Sequence, residues 1–211
     1  MRLTSRSNGM RRETIIEIGG LIALGVMSRL LPHLPNMTAM SAIALKARTR
    51  FGPLGLAVPL VSMLLSDAVI GFYNWKLLLS VYASFAIVGM LGVFLKRSQS
   101  VVAIAMVATV GSIIFFLVTN AAVWALSSWY PHTPAGLLAC YAAGLLFLFP
   151  MLCGDMLFSF VLFRSGHAFS SARASIDAWK LTGGHVPTPS HSSNAIRSAS
   201  SRPPGTTISP T

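Results

Sequence analysis

A succession of long apolar segments, each closed by basic residues or by a Pro- and aromatic-rich turn, constrains this chain more than any other feature. The first runs from Glu13 to Leu31. A bilayer-crossing helix needs roughly 20 mostly apolar residues, so this segment is long enough to span. It follows Arg11 and Arg12, as a secretory leader would, but its apolar run is long and no small-x-small cleavage site follows, so a retained helix is expected. A short second segment, Met37 to Leu45, suits a half-helix or a tilted one and is closed by Lys46, Arg48 and Arg50. A third runs from Pro53 to Gly71 and a fourth from Leu77 to Leu95, before Lys96 and Arg97. The fifth runs from Val101 to about Ser127, and the sixth from about Ala135 to Phe163, with a kink expected at Pro150.

Composition excludes a water-soluble alternative. Charged residues make up 10% of the chain, apolar residues 54%, and mean hydropathy is +0.68. A soluble domain carries about 25% charged residues because its surface must face water. The expected architecture is therefore an all-α, polytopic bundle of about six transmembrane helices. Residues 1–12 form a basic N-terminus, 13–164 the membrane domain, and 165–211 a basic Ser/Pro-rich tail. Ser, Pro, Thr and Gly dominate that tail, which buries too little apolar surface to offset its ordering entropy, so disorder is expected there.

The net charge of +11 has a directional pattern rather than a nucleic-acid one. Alternating six crossings puts Arg2, Arg6, Arg11, Arg12, Lys46, Arg48, Arg50, Lys96, Arg97, Arg164, Arg173, Lys180, Arg197 and Arg202 on one side, and only Arg29 and Lys76 on the other. Basic residues collect on the cytoplasmic side, so both termini are expected inside, in the inner membrane of a bacterium. Phe72, Tyr73, Trp75, Trp129 and Tyr130 fall at the outer ends, as interfacial aromatics do. Cys140 and Cys153 share one apolar stretch, where a disulfide is geometrically disfavoured, and they read as packing residues.

Several polar residues stand out within this apolar frame. Asp67 lies inside a span, where a carboxylate is costly and is usually held by partners or water. It reads either as a binding group for an amine, a cation or a proton, or as a helix-end aspartate tied to a neighbouring helix. Asp155, beside Gly154 and Pro150, reads as structural. Arg29, His33, Asn36 and Thr38 converge on the first outer turn. With Asn36 or Thr38 capping the second helix they would form an anion-friendly cup; alternatively Arg29 snorkels to headgroups and His33 fills a turn. Asn120 and Trp124 suit a small-molecule pocket or, equally, helix ties and interfacial anchors. Tyr73, Asn74, Trp75, Lys76 and Tyr82 belong to the same outer region. Glu17 is expected to pair with a basic neighbour or reach the interface. Gly19-x-x-x-Ala23 permits close helix contact, within the protein or with a partner.

No phosphate loop, zinc-ligand helix or nucleophile elbow is present, so a non-enzymatic role without cofactor or metal is expected. A weak internal echo links LLSDAVIGF (Leu64–Phe72) to LCGDMLFSF (Leu152–Phe160), and PHLP (Pro32–Pro35) to PHTP (Pro131–Pro134). The two pairs are offset by different amounts, 88 and 99 residues.

The order RLLPHLPNMTAMSAIAL, LLSDAVIGFYNW, FFLVTNAAVWA and YPHTPAGLLACYAAGLLF, followed by Gly154-Asp155, resembles a family of uncharacterised bacterial membrane proteins over Arg29 to Phe163. Those proteins in turn resemble the substrate-binding S components of energy-coupling factor vitamin transporters. That resemblance implies an outward-opening pocket for a vitamin or other small metabolite, capped by the loop after the first helix. It also implies a transmembrane coupling subunit and ATPases as partners, beside the lipid bilayer. The S components dock their coupling subunit through an Ala-x-x-x-Ala pattern on the first helix, and Gly19-x-x-x-Ala23 is the nearest match. The expected substrate-binding set is Arg29, His33, Asn36, Asp67, Asn74, Asn120 and Trp124. A membrane scaffold or assembly protein is the rival reading.

Overall fold

The computed structural model describes residues 3–32 and 34–181, with side chains described for 12–32 and 34–165. Every element among the described residues is helical: α1 (Leu3–Leu30), α2 (Met40–Phe51), α3 (Ala57–Ile70), α4 (Trp75–Met90), α5 (Val101–Leu126) and α6 (Pro134–Leu181). Short 3-10 helices, Gly52–Leu56 and Leu91–Lys96, precede α3 and extend α4. Each of the six apolar segments thus contains one α-helix. Four helical stretches are long and apolar enough to cross a membrane: Met40–Ile70, Trp75–Lys96, Val101–Leu126 and Pro134–Ser165.

The distribution of side chains is inverted relative to a soluble protein. On α3 the buried stripe is Val58, Pro59, Ser62, Met63, Ser66 and Asp67, while Val61, Leu64, Leu65, Val69 and Ile70 face outward. On α5 the inner stripe is Ile104, Ala108, Gly111, Ser112 and Phe115, while Val102, Met106, Val110, Ile113 and Leu117 are exposed. Small and hydroxyl residues pack inside and large aliphatics cover the outside, which suits a hydrocarbon solvent and would aggregate in water. Four outward helical faces of this kind make the chain a membrane protein.

The stretch Met40–Ile70 does not run straight, in keeping with the separate second and third segments of the sequence reading. Residues 43 and 62 would lie about 28 Å apart along one helix, yet Ile43 and Ser62 both come within 3.2 Å of the Cβ position on Gly25. The reversal occurs at Gly52, whose φ of +70° is the left-handed region that glycine enters without steric cost. Folded back in this way, α2 sits at the centre of the bundle: Met40 to Leu45 and Ala47 are all buried. It packs against α1, α3, α4 and α5. Its first half, Met40–Leu45, is apolar or small on every side and belongs there, because no face of it needs water or lipid, while Lys46, Arg48 and Arg50 lie in its second half.

The helices depart from the sequence reading at the ends. α1 begins at Leu3 and α6 extends to Leu181, so neither residue 12 nor residue 164 is a helix boundary. Ser165–Leu181 contains four alanines and no proline, which permits helix although its apolar content is low. The remainder of the expected disordered tail, from residue 182, lies outside the described residues. The chain divides into Met1–Ala168 and Phe169–Thr211, and the following description concerns the first unit.

Close approach of α4 to α2 depends on glycine at 89 and 92. A Cβ on Gly92 would fall 2.6 Å from the Leu45 carbonyl oxygen, and one on Gly89 would meet Leu56 and Ala44. In the space so created, Thr49 Oγ1 donates within reach of the carbonyls of Leu45 (2.7 Å) and Gly92 (2.9 Å). Basic residues gather at this end. Arg50 pairs with Glu17 at 3.2 Å, the partner expected for that glutamate, and Lys46 Nζ sits 4.9 Å over the Phe163 ring. Glu17, the last turn of α2, the Gly92 end of α4 and Phe163 thus share one end of the bundle. Cys140 and Cys153 are both free thiols.

Candidate functional site

At the opposite end, the geometry starts from a charge that α3 cannot hold alone. Asp67 lies in the last turn of α3, where the helix dipole disfavours a carboxylate, and it is 1% exposed. Arg29, in the last turn of α1, answers it: Nη2 lies 2.6 Å from Oδ1. Arg29 Nη1 also donates to Ser66 Oγ (2.7 Å) and to the Met63 carbonyl (3.3 Å). The second carboxylate oxygen accepts from Tyr82 Oη at 2.8 Å. Both oxygens of Asp67 are therefore engaged by protein, and three helices, α1, α3 and α4, are tied together through one carboxylate.

Beside this cluster lies a cavity of about 410 Å³. Arg29, Tyr73, Asn36 and Thr38 border it towards the loops, Ser41 and Asp155 contribute polar groups, and Met40, Met63, Phe85, Phe115 and Met151 form apolar walls. A smaller cavity of about 230 Å³ lies between α5 and α6 and includes Asn120, Cys140 and Gly144. Asn36, Phe115, Thr119 and Met151 line both, so the two adjoin. Ligand pockets run from about 300 Å³ upward, which makes the larger one sufficient for a small metabolite. In the turn after α3, Tyr73 is partly buried; that burial, and then the Asp67 carboxylate, push its phenol above the ordinary value.

The loop after α1 closes over these cavities. Asn36 adopts φ +61°, a left-handed conformation that asparagine tolerates better than most residues. Met37 packs at Gly154 of α6, where a Cβ would come within 2.9 Å of it. This turn delays α2 to Met40, and its N-cap is Ala39 with no side-chain hydrogen bond. The expected cap by Asn36 or Thr38 is thus corrected: residues 36–38 are consumed by the turn, in which Thr38 N–H donates to the Asn36 carbonyl. Ser28 Oγ accepts from Ala39 N–H instead.

The expected binding residues separate into three groups. Arg29 and Asn36 line the larger cavity, with Asp67 immediately behind Arg29. Asn120 lines the smaller one; its Nδ2 donates to the Phe116 carbonyl and its head fits against Gly144, where a Cβ would lie too close to Oδ1. Asn74 and Trp124 line neither. Asn74 Oδ1 caps α4 by accepting from Lys76 N–H (3.0 Å), and Trp124 Nε1 donates to the Pro131 carbonyl while its ring meets His132 edge-on. His33 lies outside the described residues. On α1, Gly19 and Ala23 both face outward, and among the described residues nothing approaches the Cβ position of Gly19 within 4 Å.

Asp155 is the functional candidate that the sequence reading set aside as structural. It is 2% exposed, lines the larger cavity and lies 2.6 Å from Ser112 Oγ, with the Ser41 hydroxyl as a second partner. The signal was the one that singled out Asp67, an ionisable group within an apolar span. The serines were invisible because single hydroxyls in apolar helices carry no pattern.

The model of a Family of unknown function (DUF6580) matches residues 10–177, and the chain belongs to that family. The match contains the whole span, Arg29 to Phe163, over which the motifs resemble an uncharacterised family; it shows no likeness to S components. No curated protein and no solved structure matches the chain.

Proposed function

We propose that this protein is a membrane-embedded binding component for a small metabolite, with the substrate held in the larger cavity, which all six helices line. The observation that carries the reading is a cavity of about 410 Å³, inside a bundle whose outer faces are apolar, bordered by one arginine, one aspartate and several hydroxyls. Charged groups inside a membrane domain are costly and are retained where they serve an ion or substrate path. Helix packing alone accounts for the methionines and phenylalanines, but not for polar groups arranged around open volume.

In this reading all six helices embed in the membrane, α2 as a central half-length element, and both ends of the membrane domain lie in the cytoplasm. The meeting of Glu17, Arg50, Lys46 and Phe163 at one end of the bundle supports that orientation, because the segments flanking them carry most of the basic residues. The cavity then opens towards the outer side, under the loop carrying Asn36. An S-component-like role extends the proposal: a coupling subunit docks on the outward face of α1 at Gly19 and Ala23 and drives reorientation. That face supports the extension because, among the described residues, none lies within 4 Å of the Cβ position of Gly19.

A thermal-shift screen of the full chain in nanodiscs tests the binding reading, using vitamins, vitamin precursors, organic acids and amines. A ligand that binds only the folded state raises its apparent stability, by about 2.7 kcal/mol at one hundred times its Kd. The expected result is a saturable rise with at least one compound, lost in a Thr119→Trp variant that fills the cavity. No rise across all chemical classes would leave a membrane scaffold as the better account.

A further inference from the structure

The binding reading gains a ligand class from the surroundings of Asp155. An ionised carboxylate offers about four acceptor positions. Two hydroxyls, those of Ser112 and Ser41, occupy part of that capacity. The single Ser112 proton is itself contested, because Oγ lies 3.0 Å from the Ala108 carbonyl as well as 2.6 Å from Asp155 Oδ2. The unoccupied acceptor positions adjoin the cavity, and Asp155 is otherwise sealed.

The balance of charge around the cavity is negative. Arg29 is matched by Asp67 at 2.6 Å. A second ion pair, Arg50–Glu17, lies at the far end of the bundle, and Asp155 is in neither. The first turn of α2, which includes the cavity residues Met40 and Ser41, supplies about half a positive charge. Against an ionised Asp155, about half a charge remains to be met from outside the protein. In the empty cavity a proton meets it, because a buried carboxyl without a counter-ion is held neutral, and a cation that binds there displaces that proton.

The apolar and aromatic walls fit an organic cation. No group of three His, Cys, Asp or Glu side chains is placed to hold a metal among the described residues. Phe85 and Phe115, with ring centroids 4.6 Å apart, present aromatic surface to the cavity, and Met40, Met63 and Met151 complete it. Aromatic faces stabilise ammonium groups. We infer that the cavity recognises an ammonium-bearing small molecule, its nitrogen seated on Asp155 and its apolar body against Phe85 and Phe115.

This inference rests on the binding reading, and matched ligands separate the two. Binding of phenethylamine, phenethyl alcohol and phenylpropionate to the full chain in nanodiscs is compared by thermal shift and calorimetry, together with choline and its neutral carbon isostere. The amines are expected to bind at least tenfold tighter than their uncharged isosteres. Asp155→Asn is expected to abolish that preference while leaving the alcohol unchanged. Equal or tighter binding of the alcohol or the carboxylate overturns the cationic assignment and leaves the binding reading standing. Absence of binding by every compound of every charge, here and in the broader screen, overturns both. The isostere comparison uses the unaltered chain, so it decides the matter even where Asp155→Asn does not fold.

Discussion

Replacing Asp67 by alanine probes the cluster that joins α1, α3 and α4. The substitution removes the counter-ion of Arg29, whose side chain is only 18% exposed, and the acceptor of Tyr82. Arg29 keeps its bonds to Ser66 and the Met63 carbonyl, but its charge is left uncompensated. Breaking a buried pair by removing one partner costs about 3–5 kcal/mol. At about 2–4 °C per kcal/mol for a chain of this size, Tm should fall by roughly 6–20 °C. Arg29→Met should cost a similar amount, because it strands a carboxylate that is 1% exposed. The double variant Arg29→Met/Asp67→Leu removes both charges, and replacing a buried pair by apolar groups is often near neutral. It should therefore recover most of the loss. The assay is reversible unfolding in mixed micelles, followed by far-UV circular dichroism and analysed as a double-mutant cycle. Single variants within 2 °C of the parent, or losses that simply add in the double variant, would refute the assignment of this pair as a buried, mutually dependent unit.

Three further outcomes follow from the packing. Gly92→Val should destabilise by about 1–3 kcal/mol, because its Cβ would meet the Leu45 carbonyl at 2.6 Å and force α2 and α4 apart; unchanged micelle unfolding would contradict that contact. Asn74→Ala should cost about 1 kcal/mol as a lost helix cap, while leaving affinity for any cavity ligand unaltered, as measured by calorimetry. A charged maleimide should spare both cysteines in intact cells, Cys140 because it is 2% exposed and Cys153 because it faces hydrocarbon, where a thiolate does not form; peptide mass mapping reads the two sites, and modification of Cys153 would contradict the lipid-facing placement of that side of α6.

How much of this was legible in the sequence varied with the range of the interaction. The apolar segments located all six helices because hydropathy is a local property and a bilayer fixes the length required. The central position of α2 was not legible. Its three basic residues and short length describe a half-helix that reverses before the third segment, but only its packing places it inside the bundle. The start of α2 was misplaced for a related reason: Asn36 takes up a left-handed turn instead of capping the helix. Arg29 and Asp67 were each singled out by their cost in a membrane, yet their pairing is a long-range contact with no spacing rule. Asn74 and Trp124 drew attention as polar and aromatic residues near the loops, and both spend their hydrogen bonds on local backbone. Asp155 obeyed the same rule as Asp67, and the hydroxyls and open volume that distinguish it come from three other parts of the chain.

The central claim, a polar cavity inside a lipid-facing bundle, is tested most directly by the water accessibility of Thr119. This residue lines both cavities, whereas Val110 on the same helix faces outward. In a background with Cys140 and Cys153 replaced by alanine, Thr119→Cys and Val110→Cys variants are treated in intact cells with a charged, membrane-impermeant maleimide. The account predicts labelling of the Thr119→Cys variant and none of the Val110→Cys variant. Labelling at Val110 with protection at Thr119 would contradict it, placing water outside the bundle and packed protein within.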